Sequence, residues 1–367
     1  MNKLLNTIIK SLKAFVTKVI SFPLCDKIFA FVGGARLHAE LYVRSSKKRL
    51  LTRACKVYEK ESSIGDFNDY KEALKKHWVS YSEYAYQYEF YKKSEEEREE
   101  YISQLKMAYF YLRYAPGKGR HLFRNKRVFL TVFKDYIFRK WLFVPHATYN
   151  EFEELITNYD CIVKPCEGTR GKGVYKIYKN VNHNDDRKLY EQYVKEKVIV
   201  EQCIESCEEL KVLHPQSLNT IRVVTFSNKD KACVFSGVLR TGVGNSVIDN
   251  SHAGGVSAQI DVLKGVVESD GVDNKGIRYV YHPDSNILLK GYKIPKWNDI
   301  VETVCEAAKL TDNPITGWDV VINKVGQVEF IEGNHTPDLD MMQSRYNMGL
   351  KKKVYALIKE YCDIDMK

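Results

Sequence analysis

The chain has 367 residues, 44% of them hydrophobic and 28% charged, with a formal net charge of +10. That length supports two or three domains around a sizeable core. The charge is local: residues 1–56 hold 12 Lys/Arg and 2 Asp/Glu, leaving 45 of each sign elsewhere, which weighs against a nucleic-acid-binding face spread across the fold.

The basic leader, residues 1–56, carries Leu4, Leu5, Ile8, Ile9, Leu12, Phe15, Val16, Val19 and Ile20 at helical spacing. Lys3, Lys10 and Lys13 mostly take the other face. No uninterrupted apolar run reaches the roughly 18 residues of a spanning helix, and the lysines break any signal-peptide core. Two readings stay open: a helix in a membrane interface, giving peripheral contact through residues 1–20, or a helix packed on its own domain. The nine cysteines are scattered, and Cys203 and Cys207 form only a lone i, i+4 pair. They read as reduced thiols of a cytosolic protein.

Residues 57–120 read as a helical, Tyr-rich region. The stretch HWVSYSEYAYQYEFYKKSEEEREEYISQLKMAYFYLRYA has no Pro or Gly. Its aromatic stripe is expected to pack, and SEEEREE to be a solvated helix face. APGKGR, at 115–120, is a turn. It is not a Walker A loop, because no Ser/Thr follows the lysine at the required place and no strand precedes it.

From Phe123 the texture changes. Short apolar runs (CIVKP, GVYKIY, KVIVEQ, TIRVVTF, ACVFSGVLR, DVVIN, QVEFIE) alternate with turns, and helices are expected at 297–310 and 349–362. This predicts an α+β domain over 121–367 built on antiparallel hairpins.

Within it, IVKPCEGTRGKGVYKIYKN reads as strand, loop, strand. Gly168, Gly171 and Gly173 admit backbone shapes that other residues avoid, and Arg170 and Lys172 add positive charge. The loop is either a phosphate cradle or a plain glycine-rich turn. Downstream, Asp319 and Glu332 lie 13 residues apart, with Asn334 two further on. Two carboxylates and an amide oxygen on adjacent antiparallel strands suit Mg²⁺ bound together with phosphates. The alternative is a pair of surface acids at strand ends. Together the two features describe a nucleotide site.

At these residues, with KVIVEQCIESCEEL between them, the sequence resembles the ATP-grasp superfamily over roughly 120–362. The resemblance implies two α+β subdomains gripping ATP between antiparallel sheets, behind a helical N-terminal extension, with a lid at about 160–205. It implies that Lys126 and Lys164 contact the nucleotide phosphates under a lid of Gly168, Arg170, Gly171, Lys172 and Gly173. Glu201, Gln202 and Ile204 match the adenine hinge, and Glu208 the ribose carboxylate, with Glu209 as its substitute. Asp319, Glu332 and Asn334 match the ligands of two Mg²⁺ ions, for which Mn²⁺ substitutes.

HPQSLNTIRVVTF, DNSHAGGVSAQIDVLKGVV and GWDVVINKVGQVEFIEGNHTPDLD resemble a narrower branch, the sugar-transfer associated ATP-grasp proteins of bacterial surface polysaccharide assembly. The implied reaction is carboxylate–amine ligation through an acyl phosphate. Some relatives carry an arginine two residues before the metal aspartate, where this chain has Gly317. Arg222 and Arg240 are expected to replace it as catalytic cations beside Lys164; the alternative for each is a strand-edge salt bridge. His252 contacts substrate, or the acyl phosphate, or nothing. Asn219 either binds substrate or holds the backbone before its strand. Asp338, with Asp340, is placed where an amine would arrive, and His335 is a neighbour of the metal site.

The resulting expectation is an ADP-forming ligase at the cytoplasmic membrane face. It joins an amine or amino acid to a sugar acid, free or on a lipid-linked glycan, beside glycosyltransferases and without nucleic acid. The competing readings are a peptide-type amino-acid ligase, a sugar kinase and a non-catalytic nucleotide-binding scaffold.

Overall fold

The computed structural model describes residues 23–60, 63–115, 117–168, 172–179, 186–244, 254–273, 276–339, 342–344 and 348–366. The amphipathic leader of residues 1–20, and Arg170, Gly171, His252 and Asp340, lie outside them. No described helix is long and apolar enough to cross a membrane. The chain divides into two compact units, Met1–Tyr114 with Asp338–Lys353, and Ala115–Pro337 with Val354–Lys367. One helix, Pro23–Tyr58, runs across the expected border at 56, and the second unit starts at Ala115, six residues before the expected 121.

The first unit is helical. Asp66 starts the Phe67–His77 helix by accepting from the Asn68 and Asp69 amides, and Trp78 ends it in a left-handed conformation at φ 63°. The Tyr-rich stretch is broken into short turns rather than one helix. Ser94 and Glu97 form a capping box that restarts the chain at Glu95–Glu99, and a longer helix follows at Gln104–Tyr114. Tyr70, Tyr81, Tyr84, Tyr88 and Tyr101 are buried together, so the aromatic stripe is core. The expected solvated face is wrong at Arg98, which is buried. Its guanidinium donates to both oxygens of Asp69 at 2.7 Å and to the Phe90 carbonyl.

The second unit holds two antiparallel sheets. The first has the order β1–β4–β2–β3, with β1 Trp141–Phe143, β2 Cys161–Pro165, β3 Tyr175–Ile177 and β4 Val198–Gln202. It begins 19 residues before the expected lid boundary of 160, because the short β1 pairs with β4. The second sheet has eight strands. Its centre is β5 Thr220–Ser227, flanked by β6 Ala232–Thr241 and β11 Ile315–Ile322, with β12 Val328–Asn334 beyond β11 and β7 Val256–Asp261 beyond β6; the short strands β8 Val266–Val267 and β9 Gly271–Val272 pair with β7, and β10 Arg278–Tyr279 pairs with β9. The Trp297–Lys309 helix packs against β5 and β6.

The core gathers Phe123 and Phe129, from the Gly117–Arg124 and Lys126–Val132 helices, with Phe133, Trp318 and Phe330. The Trp318 ring lies 5.2 Å from Phe133 and 5.1 Å from Phe330. Its indole N–H donates to the Thr225 hydroxyl at 2.9 Å, so the buried polar atom is satisfied.

One irregularity positions the site. From the turn outward, Ile322 faces Val328, Val321 faces Glu329 and Val320 faces Phe330; the register then shifts, and Asp319 faces Glu332. Ile331 is the extra residue of a β-bulge. Facing residues near this turn have even separations. The odd separation of 13 would otherwise turn Asp319 and Glu332 to opposite faces of the sheet. With the bulge they share one face, and Phe330 still points into the core.

Candidate active site

Asp319 stands between two strands, opposite Glu332 on β12 and opposite Arg222 on β5. It is buried, at 6% exposure. Arg222 donates from Nε to one carboxylate oxygen and from Nη2 to the other, the latter at 2.6 Å. Arg240 approaches from β6, with Nη1 3.3 Å and 3.4 Å from the two oxygens. Burial alone raises a carboxyl's pKa, but the two guanidinium groups outweigh it and hold Asp319 down at about 2. Glu332 is exposed on one side but hemmed in by protein on the other, and this crowding together with Asp319 pushes its carboxyl up. The pair therefore carries one firmly held charge and one that a bound cation would stabilise.

Gly317 explains why the cation comes from β5. A Cβ built there would stand 3.5 Å from Arg222 Nη1, so the Arg222 guanidinium lies over the glycine. An arginine side chain at 317 would compete for that space.

Two lysines complete the charge. Lys164 on β2 lies 2.8 Å from Glu201 Oε1. Lys126, at the start of its helix, donates to the Gly168 carbonyl at 3.2 Å, and its backbone N–H donates to the Cys166 carbonyl at 2.9 Å. Burial and then the neighbouring Lys164 charge lower the Lys126 ammonium below its ordinary value, with Glu332 acting in the opposite direction. Two lysines close enough to repel, beside a glycine-rich loop, form a place for an anion. Lys172 and Gly173 lie in that loop. Gly173 has φ 72°, and a Cβ there would press on Pro165, so glycine is required.

The hinge differs in detail from the expectation. Glu201 matches the hinge by its place on β4, but its side chain is turned into the protein and buried, accepting from Arg139 Nε at 2.7 Å. Arg139 reaches across to Glu329 at 3.0 Å and the Phe330 carbonyl at 2.7 Å, both on β12. Burial opposes ionisation of Glu201, but Arg139 and Lys164 hold its carboxyl below the ordinary range. Sequence reading missed Arg139, since nothing in FRKWLF marks a buried arginine. Gln202 exchanges hydrogen bonds with the backbone of Lys140. Ile204 packs against the core, and its N–H has no partner among the described residues. Glu208 is exposed at the start of a four-residue helix, 3.4 Å from Lys211.

Asn219 does not face the cleft. It is fully buried, its amide donates to the Leu210 and His214 carbonyls at 2.8 Å and 3.0 Å, and its oxygen accepts from Ser217. It holds the backbone before β5 rather than a substrate. Asn334 lies on the Asp319 side of the sheet, opposite Gly317, with its oxygen accepting from the Thr336 N–H at 2.9 Å. Burial and the charges of Arg120 and Arg124 push the adjacent His335 down to about 4, so it is a neutral neighbour. Asp338 belongs to the first unit.

The donor set fits a hard cation. Asp319 and Glu332 present carboxylates across one register position, Asn334 adds an amide oxygen, and no cysteine or histidine competes among these three.

The sequence matches the family described as sugar-transfer associated ATP-grasp over residues 106–359. No curated protein matches it. Among solved structures, the chain is similar to the ATP-grasp ligase PsnB complexed with minimal precursor, at 16% identity, with 70% of each chain covered and a TM-score of 0.41. It is similar to N5-carboxyaminoimidazole synthetase from Staphylococcus aureus at 11% identity, covering 60% of this chain and 46% of that one, with a TM-score of 0.37. For D-alanyl-alanine synthetase A from Vibrio cholerae the figures are 12%, 66% of each chain and 0.41. The chain thus spans less than half of the Staphylococcus enzyme's length.

Proposed function

Because the chain belongs to the sugar-transfer associated ATP-grasp family and is an ATP-grasp ligase, we propose that it joins an amine or amino acid to the carboxylate of a sugar acid during bacterial surface-polysaccharide synthesis. The observation that carries the ligase chemistry is the convergence of Arg222, Arg240 and Glu332 on Asp319, with Lys126 and Lys164 nearby. The sugar acid rests on the family's association with sugar transfer. The basic leader supports a site of action at a membrane face, where a lipid-linked acceptor and glycosyltransferases would meet the enzyme.

A carboxylate does not acylate an amine directly, because its oxygen is a poor leaving group and its charge repels nucleophiles. In the proposed reaction a carboxylate oxygen attacks the γ-phosphorus of ATP, the bond to ADP breaks, and an acyl phosphate forms. The amine nitrogen then attacks the acyl carbon. Phosphate departs with the C–O bonding pair, and the nitrogen gives up a proton. Asp319, Glu332 and Asn334 would hold magnesium, which would supply positive charge to offset that of the nucleotide phosphates.

The protein's own work is positioning and charge stabilisation. Lys126 and Lys164 grip the phosphates. Arg222 and Arg240 lie within reach of charge that develops beside Asp319. The Ile204 N–H, which has no partner among the described residues, would donate to adenine, and Glu208 would take the ribose.

The test is ADP release with Mg²⁺-ATP, a panel of uronic acids and a panel of amino acids, beside Glu332→Ala. The expected result is turnover that needs one member of each panel and is lost in the variant. ADP release with a sugar alone means a kinase, and release with two amino acids and no sugar means a peptide-type ligase. ATP binding without turnover, even with a lipid-linked acceptor, means a scaffold.

A further inference from the structure

The APGKGR turn leads into the Gly117–Arg124 helix. From Gly117 to Arg127 the sequence carries five Lys/Arg and no Asp/Glu. Two of these cations are accounted for. Lys126 faces the phosphate lysine Lys164, and Arg127 contacts His146 at 3.1 Å while lying over the Phe143 ring. Arg120 and Arg124 are exposed, one helical turn apart, and neither has an ion-pair or hydrogen-bond partner among the described residues. Like charges at i, i+4 repel, so the pair costs the isolated helix stability that no carboxylate among the described residues returns.

The helix is fixed against the end of β12 that carries the cation ligands. Gly119 lies on Asn313: a Cβ there would stand 3.4 Å from the Asn313 Cβ. Asn313 in turn donates to the His335 carbonyl at 3.3 Å. One turn later, Phe123 covers Gly333, with ring carbons 2.5 Å from where a Cβ would be. Gly333 and His335 are the two neighbours of Asn334. Arg120 and Arg124 each follow an anchor residue by one position, so both lie on one stripe beside the anchored face. The imidazole of His335 lies within their field.

We propose that Arg120 and Arg124 bind a second anionic group, a carboxylate or a phosphate, on the substrate whose carboxylate is activated beside Asn334. This rests on the ligase reading and narrows it: the substrate is at least a dianion. Paired guanidinium groups hold such oxygens by charge-assisted, bidentate hydrogen bonds, and the shared anion turns their mutual repulsion into attraction.

The test measures binding to the full-length protein saturated with Mg²⁺-AMPPNP, which occupies the nucleotide phosphate site. The probes are glucuronate, glucuronate 1-phosphate and glucarate, with butyrate and glutarate as a non-sugar pair. The dianions are expected to bind about tenfold to a hundredfold more tightly than the matching monoanion. Arg120→Gln with Arg124→Gln should erase that preference and leave AMPPNP affinity unchanged. Preference for the 1-phosphate over glucarate identifies a phosphate, and the reverse a carboxylate. A preference confined to glutarate, with no sugar acid bound, sinks the sugar-acid reading but keeps the anion site. Equal binding of monoanions and dianions by wild type, or a preference that survives in the double variant, overturns the proposal.

Discussion

Replacing Arg139 with Met tests whether the buried charge network couples the two sheets. The Arg139 side chain is 3% exposed and lies between Glu201, 5% exposed, and Glu329, 2% exposed. Methionine keeps much of the volume and removes the charge. Among the described residues Glu201 then has only Lys164 as a cationic partner, and Glu329 keeps the backbone amides of residues 138 and 139 and the Asn323 amide. Removing one partner of a buried pair costs about 3–5 kcal/mol. In a unit above 150 residues, where each kcal/mol moves the midpoint by about 2–4 °C, the second unit should melt about 6–20 °C lower. Adding Glu329→Gln should recover part of the loss, with a coupling of about 0.5–3 kcal/mol.

The pH dependence has a definite sign. Arg139 and Lys164 depress the folded-state Glu201 carboxyl below its ordinary range despite burial. Its contribution is therefore complete above the unfolded value of about 4.3 and is lost as pH falls through the lower folded value. Wild type should lose stability on acidification through that window, and Arg139→Met should show a shallower loss. Urea denaturation from pH 3 to pH 7 reads both quantities. A variant within 1 kcal/mol of wild type, with an unchanged acid slope, would refute the coupling. The same variant should raise KM for ATP, because Glu201, released from Arg139, holds Lys164 more tightly.

Lys164→Met should raise KM for ATP about tenfold to a hundredfold, the range of one charge-assisted contact; an unchanged KM in steady-state ADP release removes Lys164 from the phosphate site. Asn219→Ala should cost about 1–3 kcal/mol of stability, by leaving the His214 carbonyl without its donor and the Leu210 carbonyl with the Leu213 N–H alone, without altering KM for the acceptor. A selective KM change would restore a substrate role. Gly333→Ala should destabilise by about 1–3 kcal/mol through overpacking against Phe123, seen as a lower thermal midpoint.

Much of the site is legible in the sequence because its parts are local. The lysine before a glycine-rich loop, and a carboxylate followed two residues later by an amide, are contiguous patterns, and the β2–β3 and β11–β12 hairpins form where they are expected. The Tyr-rich stretch shows the limit. Its lack of Pro and Gly permits one long helix, but tyrosine packing and the Ser94 capping box break it into pieces. Likewise SEEEREE has the composition of a solvated face, and one bidentate contact with Asp69 buries its arginine.

The sequence by itself determined the α+β class, the family, the order of the phosphate, hinge and metal segments, and the residue types that each chemistry needs. Those depend on composition and short spacing, which the chain carries in one dimension. The tertiary structure decided what depends on several strands at once. It set the bulge at Ile331 that turns Glu332 toward Asp319, the placement of Arg222 over Gly317, and the insertion of Arg139 between two sheets. It also withdrew Asn219 into the fold. Facing partners in an antiparallel sheet are fixed by register, and one extra residue reverses which side chains share a face. No single segment of sequence contains that information, because register is settled between strands.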